Sequence, residues 1–190
     1  INGEIELLKW VDGLDNPQGM GLYKNKLYVA DINRVVQINT NTAKIEKIYK
    51  VDSAKFFNDI TSDTNGDMYI SDCFDNKIYK ISNGKLEVWI ESDFLSKPNG
   101  LLCTKDDVLV LNMKNQTAFA INKLTKKAHE FFNGIENLDG IVSDGKNGFL
   151  VSGAWQGQIF HIDSEGNKRL IIDLGKEKII TADIEYIVAK

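Results

Sequence analysis

A β-propeller built from four-stranded antiparallel blades is the fold this sequence predicts, and three observations predict it. A polar start, a short apolar strand, a tight turn and a second strand recur in fixed order. They read PQGMGLYKNKLYVAD at 17–31, FNDITSDTNGDMYISD at 57–72, PNGLLCTKDDVLVLN at 98–112 and LDGIVSDGKNGFLVSG at 138–153. Aligning the copies puts Gln18, Asn58, Asn99 and Asp139 in one column, at steps of 40, 41 and 40 residues. A period of about 40 residues with several strand signals inside each unit is a propeller period.

Each element follows from local chemistry. Ile1–Val11 opens with an Asn2-Gly3 turn signal and then alternates, so it reads as the outer strand of a preceding unit. In the clearest unit the strands are expected at Asp59–Ser62, Met68–Ser71, Lys77–Ile81 and Lys85–Ile90. The turn Asp63-Thr64-Asn65-Gly66, the polar loop Asp72–Asn76 and the hairpin turn Ser82-Asn83-Gly84 separate them. The same four pieces map onto Gly19–Ile48, Leu101–Phe131 and Ile141–Ile172. Thr181–Ile187 begins a further copy, with Asp183 in the column of Asp59.

The expected organisation is one propeller over 1–190, divided as an outer strand at 1–13, full blades at 14–50, 51–93, 94–133 and 134–175, and the head of a last blade at 176–190. An open ring leaves two exposed sheet edges, so the chain is expected to be an incomplete ring from a six-bladed parent.

Composition narrows the function. With 43% hydrophobic residues there is material for a core, and a net charge of −4 with no aromatic-studded basic stripe argues against nucleic acid as a partner. No apolar run reaches the roughly 18–20 residues of a membrane span. Cys73 and Cys103 fall at non-equivalent places in different repeats and lack zinc-site spacing, so they read as free thiols. There is no phosphate-binding GxxxxGK[ST] or GxGxxG between strand and helix, and no GxSxG nucleophile elbow.

In an up-and-down blade the first strand lines the central channel. The column Gln18, Asn58, Asn99, Asp139 is therefore expected around one mouth, with Asp59 and Asp183 beside it. The loops Asp31–Arg34, Asp72–Asn76, Asn112–Gln116 and Gly153–Gly157 would form the rim. Such a collar of amide and carboxylate oxygen suits a hard divalent cation, Ca2+ above Mg2+, Mn2+ or Zn2+, since neither His129 nor His161 falls in the column. Asn and Asp at strand starts also cap turns, and that reading stands beside the site; the variation of the column argues for the site. Trp155 on the rim has two readings, stacking on a ligand or packing within the rim.

Phe57-Asn58-Asp59, Pro98-Asn99-Gly100-Leu101 and Leu138-Asp139-Gly140-Ile141 resemble successive blade starts of the SMP-30/gluconolactonase/LRE-like family. Ala182–Tyr186 resembles the last-blade start of its secreted or periplasmic bacterial members. The resemblance implies a six-bladed, metal-dependent lactonase acting on a small molecule at the channel mouth, a monomer, and a periplasmic or secreted location. It implies Asn99 and Asp139 as metal ligands, Asp139 also as general base, and Asn58 at the substrate or a metal-bound water. Asp59, Trp155 and Asp183 complete the expected substrate-binding set. The family's Glu ligand belongs to an opening strand that this stretch does not include, and Glu4 and Glu6 are not that residue. Sugar-lactonase members carry Arg where Phe56 stands and Gly where Ile60 stands, so the resemblance does not extend to sugar specificity. The alternative expectation is a non-catalytic ligand- or protein-binding propeller, because the fold alone does not choose.

Overall fold

A computed structural model of the chain describes Ile5 and residues 7–185. The strands of the described residues form four separate sheets, each of four antiparallel strands in simple meander order. The first sheet contains β1 (Pro17–Tyr23), β2 (Lys26–Asp31), β3 (Arg34–Asn39) and β4 (Lys44–Lys50). The second holds β5 (Phe57–Ser62), β6 (Met68–Asp72), β7 (Lys77–Ser82) and β8 (Lys85–Glu91). The third holds β9 (Pro98–Cys103), β10 (Asp107–Asn112), β11 (Thr117–Asn122) and β12 (Ala128–Asn133). The fourth holds β13 (Leu138–Ser143), β14 (Phe149–Gly153), β15 (Gln158–Ile162) and β16 (Lys168–Asp173). This is the all-β blade arrangement that the repeat predicts.

The sheets stack face to face, and the core lies between them. Tyr28, Ala30 and Val35 of the first sheet pack against Phe57, Ile60, Met68 and Ile70 of the second. Tyr69, Ile78 and Trp89 of the second meet Leu101, Val108 and Val110 of the third. Leu109, Leu111 and Ala118 of the third meet Leu138, Ile141 and Val151 of the fourth. Successive residues of a strand point to opposite faces. The inner strands are therefore apolar on both faces, and their sequences read as near-continuous hydrophobic runs.

Every first strand carries the same irregularity. Pro17 pairs with Asp31 and Met20 with Val29, so two residues of β1 oppose one of β2. The pairs Phe57–Asp72 and Ile60–Ile70, Pro98–Asn112 and Leu101–Val110, and Leu138–Gly153 and Ile141–Val151 repeat the pattern. Such a bulge bends its strand and re-aims the unpaired residues. Those residues are Gln18-Gly19, Asn58-Asp59, Asn99-Gly100 and Asp139-Gly140, the predicted column and its successor. The first strands thus begin at or before the column residues, earlier than the sequence reading placed them.

The last residue of each second strand anchors the incoming chain. Asp31 is fully buried and accepts hydrogen bonds from the N–H groups of Asp15 and Asn16 and from Arg34 Nε. Burial alone would raise its pKa, but these donors hold the carboxyl below the usual carboxylate range. Asp72 accepts from the N–H groups of Lys55, Phe56 and Phe74. Asn112 accepts from Ser96 N–H and donates to the Phe94 carbonyl. These residues, expected to begin the rim loops, are buried struts, because each satisfies backbone groups of the loop that joins one blade to the next.

Two expectations at the ends are corrected in part. Residues 7–14 form no strand, so the described part of the outer strand expected over 1–13 is absent. Val11 and Leu14 instead pack on the face formed by Val29, Val36 and Ile38. Residues 1–4 and Glu6 lie outside the described residues. Residues 181–185 carry no strand ladder, and Tyr186 and Ile187 of the expected further copy also lie outside them. Cys73 and Cys103 are both free. Among the described residues no helix is long and apolar enough to cross a membrane.

Candidate functional site

The bulges bring the predicted column to one hollow of about 390 Å3. Gln18, Asn58, Asn99 and Asp139 all line it, as do Asp59 and Asp183. Met113 also lines it, a residue of the predicted rim that carried no chemical signal in the sequence. Trp155 is not among the lining residues. It sits in a 3-10 turn at Ala154–Gln156 and is 66% exposed. His161 lies elsewhere, with Nε2 3.0 Å from Asp144 Oδ2. His129 is on β12, an outer strand.

Close packing at the axis explains the glycines that follow the column at 19, 100 and 140. A Cβ on Gly19 would fall 2.7 Å from Asp59 Cα, and one on Gly100 would meet the Asp139 carbonyl at 1.9 Å. A Cβ on Gly140 would fall 2.8 Å from Asp183 Cα. Asp183 therefore stands to Gly140 as Asp59 stands to Gly19. Residues 181–184 lie against β13 as one first strand lies against the next. They are held there by Thr181 N–H on the Ala154 carbonyl and by the Ser152 hydroxyl on the Ala182 carbonyl.

Asp59 is the most enclosed of the three acids in the hollow. Its Oδ2 accepts from Leu101 N–H at 2.7 Å and its Oδ1 from Ile60 N–H at 2.7 Å. Burial, followed by the Asp183 charge, outweighs these donors and pushes its pKa up to about 7. Asp139 is half-buried. Burial and then Asp183 raise it to about 6, while a hydrogen bond with the Asn99 side chain pulls the other way. Asp183 is raised as well, by loss of solvent around its carboxyl and then by the Glu185 charge, against the Ile184 N–H that it accepts. Gln18 turns back, its Nε2 donating to the Asn16 carbonyl at 3.3 Å. Asn58 touches the Cys73 thiol, which burial keeps neutral by pushing its pKa up to about 11.

Three acids thus share a hollow with no Lys, Arg or His among its lining residues. Carboxylates that raise one another's pKa in this way are relieved by a cation. The free donors, Asn58, Asn99 and Asp139 with Asp183 at the open side, are all oxygen, which fits a hard divalent ion. Asp59 has less to offer, since both its oxygens already serve backbone N–H groups. Among the described residues no three His, Cys, Asp or Glu side chains converge at metal-holding range. Any such ion would therefore depend on amide oxygens and water for much of its shell.

Comparison with solved structures gives the fold. The chain is similar to virginiamycin B lyase from Staphylococcus aureus, with a TM-score of 0.68 and 19% identity over 82% of this chain and 55% of that one. A streptogramin B lyase structure matches with a TM-score of 0.70 and 16% identity over 82% of this chain and 54% of that one. A chain of the nidogen/laminin complex matches with a TM-score of 0.78 and 14% identity, over 90% of this chain and 68% of that one. The chain is a β-propeller. At these identities the likeness is one of fold, and the propeller spans about half the length of the lyase structures. No family model matches the sequence, and no curated protein matches it.

Proposed function

We propose that this propeller carries the channel-mouth site of a divalent-cation-dependent hydrolase of a lactone or related cyclic ester. One observation carries the reading. Asp139 stands with Asn58 and Asn99 at the wall of an oxygen-lined hollow large enough for a small molecule. Asp139 would take a proton from water at its carboxylate, while Asn99 fixes that carboxylate's orientation. Asn58 would hold the water or the ester through its amide. Asp59, largely committed to Leu101 and Ile60, would set the position of the first strands rather than bind substrate. Asn58, Asn99 and Asp139 would hold the cation, which when bound supplies Lewis-acid polarisation of the ester carbonyl. The likeness to lyase structures supports the broader statement that such a propeller can house an enzyme.

The test is a panel of lactones with a pH indicator and added Ca2+. Asp139→Ala is expected to abolish turnover, and retained hydrolysis overturns the role. A second reading, a non-catalytic binding propeller, is favoured by the lack of a tight acid cluster among the described residues and by the likeness to a chain from a protein–protein complex. Stabilisation by Ca2+ without turnover of any lactone supports that reading instead.

A further inference from the structure

A smaller hollow of about 170 Å3 adjoins the first and shares Asn58, Asn99 and Met113 with it. Beyond those three residues the chemistry changes. Phe56, Phe74 and the neutral thiol of Cys73 form the remaining walls, with Lys97 at the lip. The two rings lean on each other with centroids 5.0 Å apart. Their backbones are fixed by one buried carboxylate, since Asp72 Oδ1 accepts from Phe56 N–H at 3.0 Å and from Phe74 N–H at 3.3 Å. The lip is pinned on both sides. Lys97 N–H donates to Asn76 Oδ1, and the Lys97 carbonyl accepts from Met113 N–H. Phe74 nonetheless leaves 58% of its surface exposed. The walls are thus prearranged, and Phe74 stays open to solvent with the Lys97 ammonium 5.7 Å from its ring centre.

We infer that this side hollow is the subsite for a phenyl-sized apolar substituent of the molecule whose polar ring occupies the oxygen-lined hollow. The inference rests on the reading of that larger hollow as a small-molecule site. The size agrees, since an apolar cavity of about 150 Å3 takes benzene. The continuity agrees as well. A ring placed among Asn58, Asn99 and Asp139 has only Asn58, Asn99 and Met113 between it and the aromatic pair. The ligand class is therefore an aryl-substituted five- or six-membered oxygen heterocycle, not a polyhydroxylated one, whose hydroxyls would be stripped of water against Phe56 and Phe74.

The experiment uses methyl-labelled methionine, because the chain has only three methionines, Met20, Met68 and Met113, and Met113→Leu identifies the relevant signal. The probes are 2-phenyltetrahydrofuran and tetrahydrofuran, ethers that lack the carbonyl carbon a lactone hydrolase attacks. The phenyl ether is expected to move the Met113 methyl signal and the parent ether to leave it in place at equal concentration. Phe74→Ala, at an exposed side chain, is expected to weaken the phenyl ether about ten-fold, the scale of a lost apolar contact in a pocket. Phe56→Ser provides an independent second removal of the wall. An unmoved Met113 signal, or equal binding by wild type and Phe74→Ala, overturns the subsite. Parallel assays with γ-butyrolactone and its γ-phenyl derivative separate the two readings. Hydrolysis of both with equal kcat/KM overturns the subsite alone, whereas phenyl ether binding without any lactone turnover overturns the hydrolase alone.

Discussion

The Asp59 carboxylate accepts a hydrogen bond from the Leu101 N–H at 2.7 Å, joining the first strands of adjacent blades 42 residues apart in the chain. The bond is buried, and it closes the one place at the axis where a side chain rather than a glycine separates two described first strands. Asp59→Ala leaves that N–H without a partner, as well as the Ile60 N–H. A buried unsatisfied donor costs roughly 1–3 kcal/mol. The expected loss is in that range by urea denaturation. Asp59→Asn keeps one acceptor and is expected to lose less.

Stability is expected to fall as the pH rises through the weakly acidic range. Asp59 and Asp139 have folded pKa values of about 7 and about 6, above the ordinary 3.8. Below that ordinary value both states keep these protons. Between it and about 7 the unfolded chain releases protons that the folded chain retains, so folding weakens across that window and levels off above it. Asp183 raises both groups, so Asp183→Asn is expected to flatten the slope. Urea midpoints at several pH values check this, and a slope unchanged in that variant refutes the coupling. Asp31 acts in the opposite direction. Its depressed pKa contributes stability that is lost only as the pH drops through its folded value.

Adding Ca2+ above about pH 7 is expected to raise Tm, by about 2–4 °C for each kcal/mol of binding free energy in a domain of this size. Asp139→Asn is expected to reduce the rise. A wild-type protein whose Tm does not respond to Ca2+, Mg2+ or Mn2+ argues against a cation in this hollow.

Gly100→Ala is expected to be among the most damaging single methyl additions. The new Cβ would stand 1.9 Å from the Asp139 carbonyl oxygen, a backbone atom that cannot rotate away. Overpacking of a tight core typically costs about 1–3 kcal/mol, and here β9 and β13 would have to separate. Calorimetry or urea denaturation would measure the loss, and any folded variant is expected to bind cation poorly because Asp139 moves with its strand.

Breaking the strut at Asp31 is expected to be costlier than its distance from the hollow suggests. Arg34 lies 2.8 Å from Asp31, with its own side chain only 18% exposed. Removing one partner of such a buried pair costs about 3–5 kcal/mol. Asp31→Asn keeps part of the hydrogen bonding and is expected to fall between wild type and Asp31→Ala.

Much of this molecule was legible from its sequence, for a physical reason. Turn signals such as Asp63–Gly66 and Ser82–Gly84 sit between alternating runs, and local chemistry alone places strands there. The spacing of Gln18, Asn58, Asn99 and Asp139 likewise brought four side chains to one hollow without any view of the structure. The bulges were not legible, because a two-against-one pairing is a property of two strands and leaves no mark on either. For the same reason Asp31, Asp72 and Asn112 read as rim residues. Their donors lie about 16 residues upstream, and only the folded loop brings them together. Trp155 had two readings, stacking or rim packing, and in the fold it is 66% exposed and outside the lining of the hollow.

The bulge gives each blade two consecutive positions at the axis, and the crowding against the neighbouring strand constrains the second of them severely. Variation is therefore channelled into the first. Around the mouth this chain spells Gln, Asn, Asn, Asp and Ala, one letter per unit, on a frame that does not need to change when a letter does. Ligand preference in such an architecture can drift by single substitutions at that one register, while folding competence is inherited from the rest of the repeat.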